Sequence, residues 1–357
     1  MLKYQFPAVK GCQAGSDYYI CMVPLGLLSK IFLTDYSDVA PEHRAQRKLN
    51  EMRVPEIKDY IVKNRDSYVF SALAASVDGE MSFIEINNNE NLGVLEIDMD
   101  SSFLINDGQH RKAAIDAAIE EDSTLKEETI SVVLYRDKGL ERSQQMFTDL
   151  NKHAVTTSKS LNTLYESKDP IAIITKKLVD EIAFFRKYTD KEKDNLSKNS
   201  ANIFTLNTFF TANKRIYKIV NDDKVCEEFV LNYWSNVVKN MREWNEMNLG
   251  ELSKKSLREH YITTQGLIIL SLGRLSEFYY ENPKIDMVES LKGLQKIDWL
   301  RNNKDWMNRA IKPDGKINRN EQGIFLTYIE IKRLLNLNIS QKEKTKEKQI
   351  LGKGRMK

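Results

Sequence analysis

Asp107-Gly108-Gln109-His110-Arg111 sets an acid, a glycine, an amide, an imidazole and a guanidinium on five consecutive positions. Two short apolar runs with strand character, Val94-Leu95-Glu96-Ile97-Asp98 and Phe103-Leu104-Ile105, come before it. Lys112 to Ile119, rich in helix formers, comes after it. A strand-to-helix junction suits an anion, because the first helical amides lack partners and the helix dipole is positive at that end. Gly108 lets the backbone come close to a ligand. Arg111 offers a fork of donors that matches phosphate, and Gln109 and His110 add more. With Asp107 as base or metal ligand and Arg111 as charge stabiliser, the same residues could hydrolyse a phosphoanhydride. The plain alternative is a turn in which Asp107 caps the helix.

A second polar stretch runs from Asp149 to Leu161. Asn151 and Asp149 offer oxygen ligands to Mg²⁺. Ser158, Lys159 and Ser160 offer donors to a polyphosphate, if this loop faces the first across a cleft. Alternatively, Ser158 or Ser160 simply caps a helix from Leu161 to Ser167. Other templates are weak. There is no Gly-x4-Gly-Lys-Ser/Thr loop, nothing marks a Ser-His-Asp nucleophile, and His110 and His153 with Asp107 make a thin metal set.

The elements that must position these residues follow from the apolar pattern. Strands are expected at Asp17 to Leu25, Tyr68 to Val77, Met81 to Ile86 and Ile130 to Tyr135. Asp78-Gly79 signals a hairpin between the second and third of these, and Met99 to Ser102 a hairpin turn between the two runs before Asp107. Helices are expected at Leu25 to Leu33, Pro41 to Asn64 (with Pro55 breaking it or opening a second helix) and Leu140 to Leu150. Beyond Tyr165 strand signals stop. Helices are expected from Asp169-Pro170 onward, and at Leu206 to Val220, Val225 to Met247, Leu257 to Tyr280, Ile285 to Ile297, Trp299 to Ile311 and Gly323 to Leu337. Helical spacing assigns Phe209, Phe210, Phe229, Tyr233, Trp234 and Trp244 to the core. The fold class is therefore α+β: residues 1–165 as a domain with a small mixed sheet, 166–340 as a helical domain, and 341–357 as a basic, flexible tail.

Composition narrows the function classes. With 357 residues, 41% hydrophobic and 29% charged, the chain can build a sizeable core. No apolar run is long enough to span a membrane, and the N-terminus lacks signal-peptide character. Three scattered cysteines fit a reducing, cytoplasmic setting. The net charge is +3, but Gln341 to Lys357 holds seven basic and two acidic residues, +5 in all, which leaves −2 for the rest. Nucleic-acid contact would need local patches. The candidates are Arg44, Arg47, Lys48 and Arg53 on the early helix, Lys214-Arg215 and Lys254-Lys255 in the helical half, and Lys353 and Arg355 in the tail.

Taken together, certain stretches resemble the DGQHR-domain family and, within it, the DndB group of DNA phosphorothioation (sulfur-modification) systems. They are Gln46-Arg47-Lys48-Leu49-Asn50 running into Arg53-Val54-Pro55-Glu56-Ile57, then Asp107 to Arg111 with Ala114-Ile115, Phe147-Thr148-Asp149-Leu150-Asn151, and Ser158-Lys159-Ser160-Leu161. The opening Tyr4-Gln5-Phe6-Pro7-Ala8 and the late Gly315-Lys316-Ile317 also look like that family. The resemblance implies a ParB/sulfiredoxin-like N-terminal domain, with Gly108, Gln109, His110 and Arg111 as a phosphate cradle and Asn151 on the metal side. His110 stands where ParB-like motifs carry arginine, and the cradle has no cysteine. The implied function is a DNA-binding transcriptional regulator of its own operon, with a nucleoside triphosphate and Mg²⁺ as cofactors. Its partners would be double-stranded promoter DNA, other proteins of the system and further copies of itself. Two other readings are an Mg²⁺-dependent NTPase (nuclease below it) using Asp107 and Arg111, and an interaction subunit whose cradle is a relic of the fold.

Overall fold

The computed structural model describes residues 2–32, 51–86, 89–137, 139–152, 157–197, 199–220 and 222–353. The chain is α+β and divides into two compact units, Met1–Val155 and Thr156–Lys357. The boundary falls ahead of the helix expected to close the first domain, so that helix belongs to the second unit.

The first unit is built on a seven-stranded sheet. Its strands are β1 (Lys3–Gln13), β2 (Ser16–Pro24), β3 (Leu73–Asp78), β4 (Met81–Ile86), β5 (Asn89–Asp98), β6 (Ser102–Asp107) and β7 (Thr129–Arg136), in the order β4-β5-β1-β2-β7-β3-β6. All ladders are antiparallel except β3 with β7. This order corrects both expected hairpins. β3 and β4 are joined by two residues and β5 and β6 by three, yet neither pair is hydrogen-bonded into a ladder. Links that short cannot cross a flat sheet of this width, at about 4.8 Å per strand. The sheet must therefore curl until its first and last strands approach. The two links meet: a Cβ on Gly79, whose φ is 151°, would lie 2.1 Å from Ser101 Oγ. Inside the curl, Tyr4 of β1 meets Phe103 of β6 edge-on at 6.2 Å.

Helices α1 (Leu25–Ile31), α2 (Val54–Lys63), α3 (Gln109–Glu121) and α4 (Leu140–Lys152) complete this unit. Pro55 opens α2, where a missing N–H costs nothing. The apolar stripe of α3 (Ala114, Ile115, Ala118) joins Leu28, Ile61, Leu73, Leu125 and Val132 in one core.

The second unit is helical: α5 (Lys159–Tyr165), α6 (Pro170–Glu181), α7 (Ala183–Tyr188), α8 (Leu206–Val220), α9 (Asp223–Asn240), α10 (Arg242–Leu249), α11 (Lys254–His260), α12 (Gly266–Glu281), α13 (Met287–Leu291), α14 (Glu321–Leu334) and α15 (Gln341–Lys353). A two-strand bridge, β8 (Thr189–Asp190) with β9 (Phe204–Thr205), is its only ladder among the described residues. Two expected helices are broken. Extended backbone at Met241 separates α9 from α10, and Tyr261 to Gln265 separates α11 from α12. Trp299 to Ile311 carries only a short 3-10 turn, and its two tryptophans stack at 5.1 Å instead of following a helical stripe. Of the aromatics assigned to the core by spacing, Phe209, Tyr233, Trp234 and Trp244 are buried in it and Phe229 packs against it. Phe210 is half-buried and carries the Lys214 ammonium over its ring instead.

Residues 341–353 correct the expectation of a flexible tail. They form α15, docked through Ile350, Leu351 and two inward carboxylates. Glu343 accepts from Lys332 Nζ at 3.0 Å and from Tyr328 Oη at 2.9 Å. Glu347 accepts from Arg333 Nη2 at 2.9 Å and from Arg309 Nη1. The lysines Lys342, Lys344, Lys346 and Lys348 are exposed. The two glutamates stand four residues apart, so helix formation gathers the acids on one face and leaves the lysines on the others.

Candidate functional site

Asp107 ends β6 and Gly108 is the N-cap of α3, with φ 104° and ψ 15°. That left-handed backbone favours glycine, and a Cβ there would lie 2.3 Å from Leu73 Cδ2. No side chain caps the helix, so Asp107 is not the cap that its place before a glycine suggested. Its carboxylate instead accepts from Arg111 Nη2 at 2.6 Å, one helical turn on. The other terminal nitrogen of Arg111 donates to the carbonyls of Ser71 (2.7 Å) and Ala72 (3.0 Å) and to the Ser71 hydroxyl. The guanidinium thus ties the start of α3 to the chain entering β3. Gln109 reaches back toward the Ile105 carbonyl at 3.5 Å, too long for a strong bond, and His110 is buried. Beneath them, buried Asn106 donates to Ser76 Oγ at 2.7 Å.

This arrangement does not fit a nucleoside triphosphate as it stands. Leu73 packs against Gly108, and Arg111 is already engaged by one carboxylate and two carbonyls. What the junction offers chemically is a clamp between α3 and β3, with Gln109 on its rim.

The second polar stretch lies in the second unit from Thr156 onward. Ser158 caps α5 by accepting from the Leu161 amide at 3.0 Å, as the plain reading expected. The donors at this helix start already hold an anion, and it is the chain's own: Asp194 accepts from the amides of Lys159 (2.8 Å) and Ser160 (2.9 Å) and from the Ser160 hydroxyl (2.8 Å). Burial pushes the Asp194 carboxyl up, but these donors outweigh it and hold it below the usual carboxylate range. The phosphate expected here is replaced by an internal carboxylate 34 residues on in sequence from Ser160.

Of the metal candidates, Asp149 accepts from Gln145 Nε2 at 2.6 Å; Asn151 is on the last turn of α4 and its side chain lies outside the described residues. Among the described residues no group of three or more His, Cys, Asp or Glu could hold a metal ion, and no helix is long and apolar enough to cross a membrane. His153, Arg44, Arg47, Lys48 and Arg355, with the side chain of Lys353, also lie outside the described residues. Arg53 is exposed at the start of α2. Lys214 stands over the Phe210 ring, Arg215 pairs with Glu321 at 2.7 Å, and Lys254 folds onto the Ala201 carbonyl at 3.2 Å. Lys255 is exposed at the edge of a hollow that it shares with Arg258, Glu259 and Arg301. Those two arginines, and the lysines of α15 as a rigid surface, are what sequence reasoning missed. Only the i, i+4 placing of Glu343 and Glu347 could have pointed to the latter.

A family model described as DNA-sulfur modification-associated matches residues 6–338, spanning both units. The chain belongs to the DndB family. Neither curated proteins nor solved structures gave a match. Membership assigns the chain to a DNA sulfur-modification system, and the match runs through Asp107–Arg111 and the helical unit up to the turn before α15.

Proposed function

We propose that this DndB-family chain is a DNA-binding accessory protein that regulates its own sulfur-modification operon, with binding led by the second unit. The observation that carries this reading is α15. Its two carboxylates turn inward onto Lys332, Arg309 and Arg333, while Lys342, Lys344 and Lys348 face solvent. A helix sorted in this way presents cations on both flanks of its docked face, with Lys344 and Lys348 one turn apart, which suits phosphate contact without base readout. Lys255 and Arg53 are further exposed cations that support the reading.

The test is fluorescence anisotropy with operon-promoter duplex and a scrambled duplex across a salt series. Each neutralised phosphate contributes roughly −0.9 to the log–log salt slope. Changing Lys342, Lys344 and Lys348 together to Gln is therefore expected to flatten the slope by about 2 to 3 and to weaken both duplexes alike. A slope unchanged in that variant sinks the role of α15; no preference of the parent chain for promoter DNA sinks the regulatory role. An NTPase reading has no observation in its favour, since Arg111 and Asp107 neutralise each other. Equal phosphate release by the parent chain and Arg111→Ala would remove it.

A further inference from the structure

We infer that the helical unit carries a separate seat for a small organic phosphate of nucleotide size, in a cleft that no residue of Asp107–Arg111 lines. The cleft has a volume of about 870 Å³, within the roughly 300–1,000 Å³ of small-molecule sites. Five cations line it, Arg258, Arg301, Lys312, Lys316 and Arg319, against one carboxylate, Asp194. That carboxylate is already held by the start of α5, so it offsets little of the positive field. Lys316 leans on Asp314 at 3.4 Å, an exposed pair that a polyanion can displace in water.

Two further observations point to an anion. Arg301 Nε is buried with no acceptor, and no ion pair of Arg301 occurs among the described residues. Arg301 lines the cleft, and without a carboxylate partner its charge attracts a phosphate there. In the same cleft wall, α12 begins at Gly266, and its N-cap Gln265 makes no side-chain cap bond; Thr264, Gln265 and Gly266 all line the cleft. A 16-residue helix thus aims its positive end at the same space.

The apolar lining decides the ligand class. Ile203, Phe204, Leu267, Leu270 and Ile317 contribute it, so the cleft offers an apolar surface as well as a cationic one. Inorganic phosphate would use only the second. A phosphate joined to a flat, weakly polar body, as in a nucleotide, uses both. The seat is independent of DNA binding by α15 and of Asp107–Arg111.

Isothermal titration of the full chain with ATP, inorganic tripolyphosphate and adenosine tests it. ATP is expected to bind at least tenfold more tightly than either of the other two. Arg301→Gln should weaken ATP at least tenfold. Because Arg301 lies against the fold, Lys312→Gln combined with Arg319→Gln serves as the second variant, with the same direction expected. Arg111→Ala should leave ATP binding unchanged. Saturable binding of none of the three probes overturns the inference. Equal affinity for ATP and tripolyphosphate overturns the apolar wall's part and with it the nucleotide-sized ligand. Binding lost in Arg111→Ala but kept in both cleft variants moves the site to the first unit and overturns it as well.

Discussion

Glu343→Gln isolates the contact that turns residues 341–353 from a tail into a wall of the second unit. The substitution keeps size and shape but leaves the Lys332 ammonium, whose side chain is 1% exposed, without its counter-charge. Removing one partner of a buried ion pair costs about 3–5 kcal/mol. Two features reduce that here. The Glu343 side chain is 20% exposed, so water screens part of the field, and the Phe278 ring centroid stays 3.9 Å from the ammonium and still attracts it. The expected loss is therefore about 2–3 kcal/mol, or roughly 5–10 °C in melting temperature for a unit of this size. The assay is direct, because all four tryptophans, Trp234, Trp244, Trp299 and Trp306, are buried in the second unit, and their fluorescence follows its unfolding alone. Adding Lys332→Met to Glu343→Gln removes the stranded charge and should recover all but about 1 kcal/mol, since apolar replacements of buried pairs are often neutral. A Glu343→Gln protein that melts within about 2 °C of the parent, or a coupling energy below about 0.5 kcal/mol in the double-variant cycle, refutes this account of α15.

Other consequences can be checked on the same protein. Glu343 and Glu347 are pushed up by burial but drawn down further by Ser340, Lys332, Arg333 and Arg309, so their folded pKa values lie below 4.5. The stability they add is complete above that pH and is lost as pH falls through the folded values. Glu330, raised by burial, works in the opposite sense, so acid melting curves should show a net loss smaller than two such groups alone would give. Gly108→Ala forces a side chain into φ 104° and onto Leu73, and should cost about 2–3 kcal/mol in urea unfolding of the first unit; a loss under about 0.5 would deny the clamp. Arg111→Lys keeps the charge but not the fork to Ser71 and Ala72, so about 1–2 kcal/mol should be lost from the first unit with no change in tryptophan fluorescence at equilibrium. With thiol reagent at pH 8, exposed Cys12 should react at once. Cys21 and Cys226, raised by burial to about 12 and about 11, should wait for unfolding.

Helices with an apolar stripe are legible in the sequence because burial on one face repeats every three to four residues, as in α6 and α8. α14, expected to be amphipathic, is instead buried on every face from Gly323 to Lys332. Strand β1 is not legible. Pro7 and Gly11 break its pattern, yet Pro7 is tolerated because it pairs only with Val94, one residue before the ladder to β2 begins at Ala8. The links after Asp78 and Asp98 carry hairpin-like residues, and a turn signal says nothing about whether the flanking strands are neighbours. The strand-to-helix junction at Asp107–Arg111 is legible in the sequence and present in the fold. What Arg111 does there depended on Ser71 and Ala72, some forty residues away, whose backbone carbonyls leave no mark on a sequence. The cleft cations come from separate segments between Arg258 and Arg319, and none stands in a basic run; only the fold collects them.

The curled sheet has a consequence for how the chain reaches this state. β2 ends at Pro24, and its outer neighbour β7 begins at Thr129, so more than a hundred residues must be made before that ladder can start. β3 likewise waits for β7, its only parallel partner. Until β7 arrives, the nascent chain holds two fragments, β1-β2 with β4-β5 on one side and β3-β6 on the other, with no ladder between them. Closing loops of that length is slow and leaves strand edges exposed meanwhile. β7 is thus the keystone of synthesis: a chain released before it is made would have every other strand of the first unit and still be unable to close it.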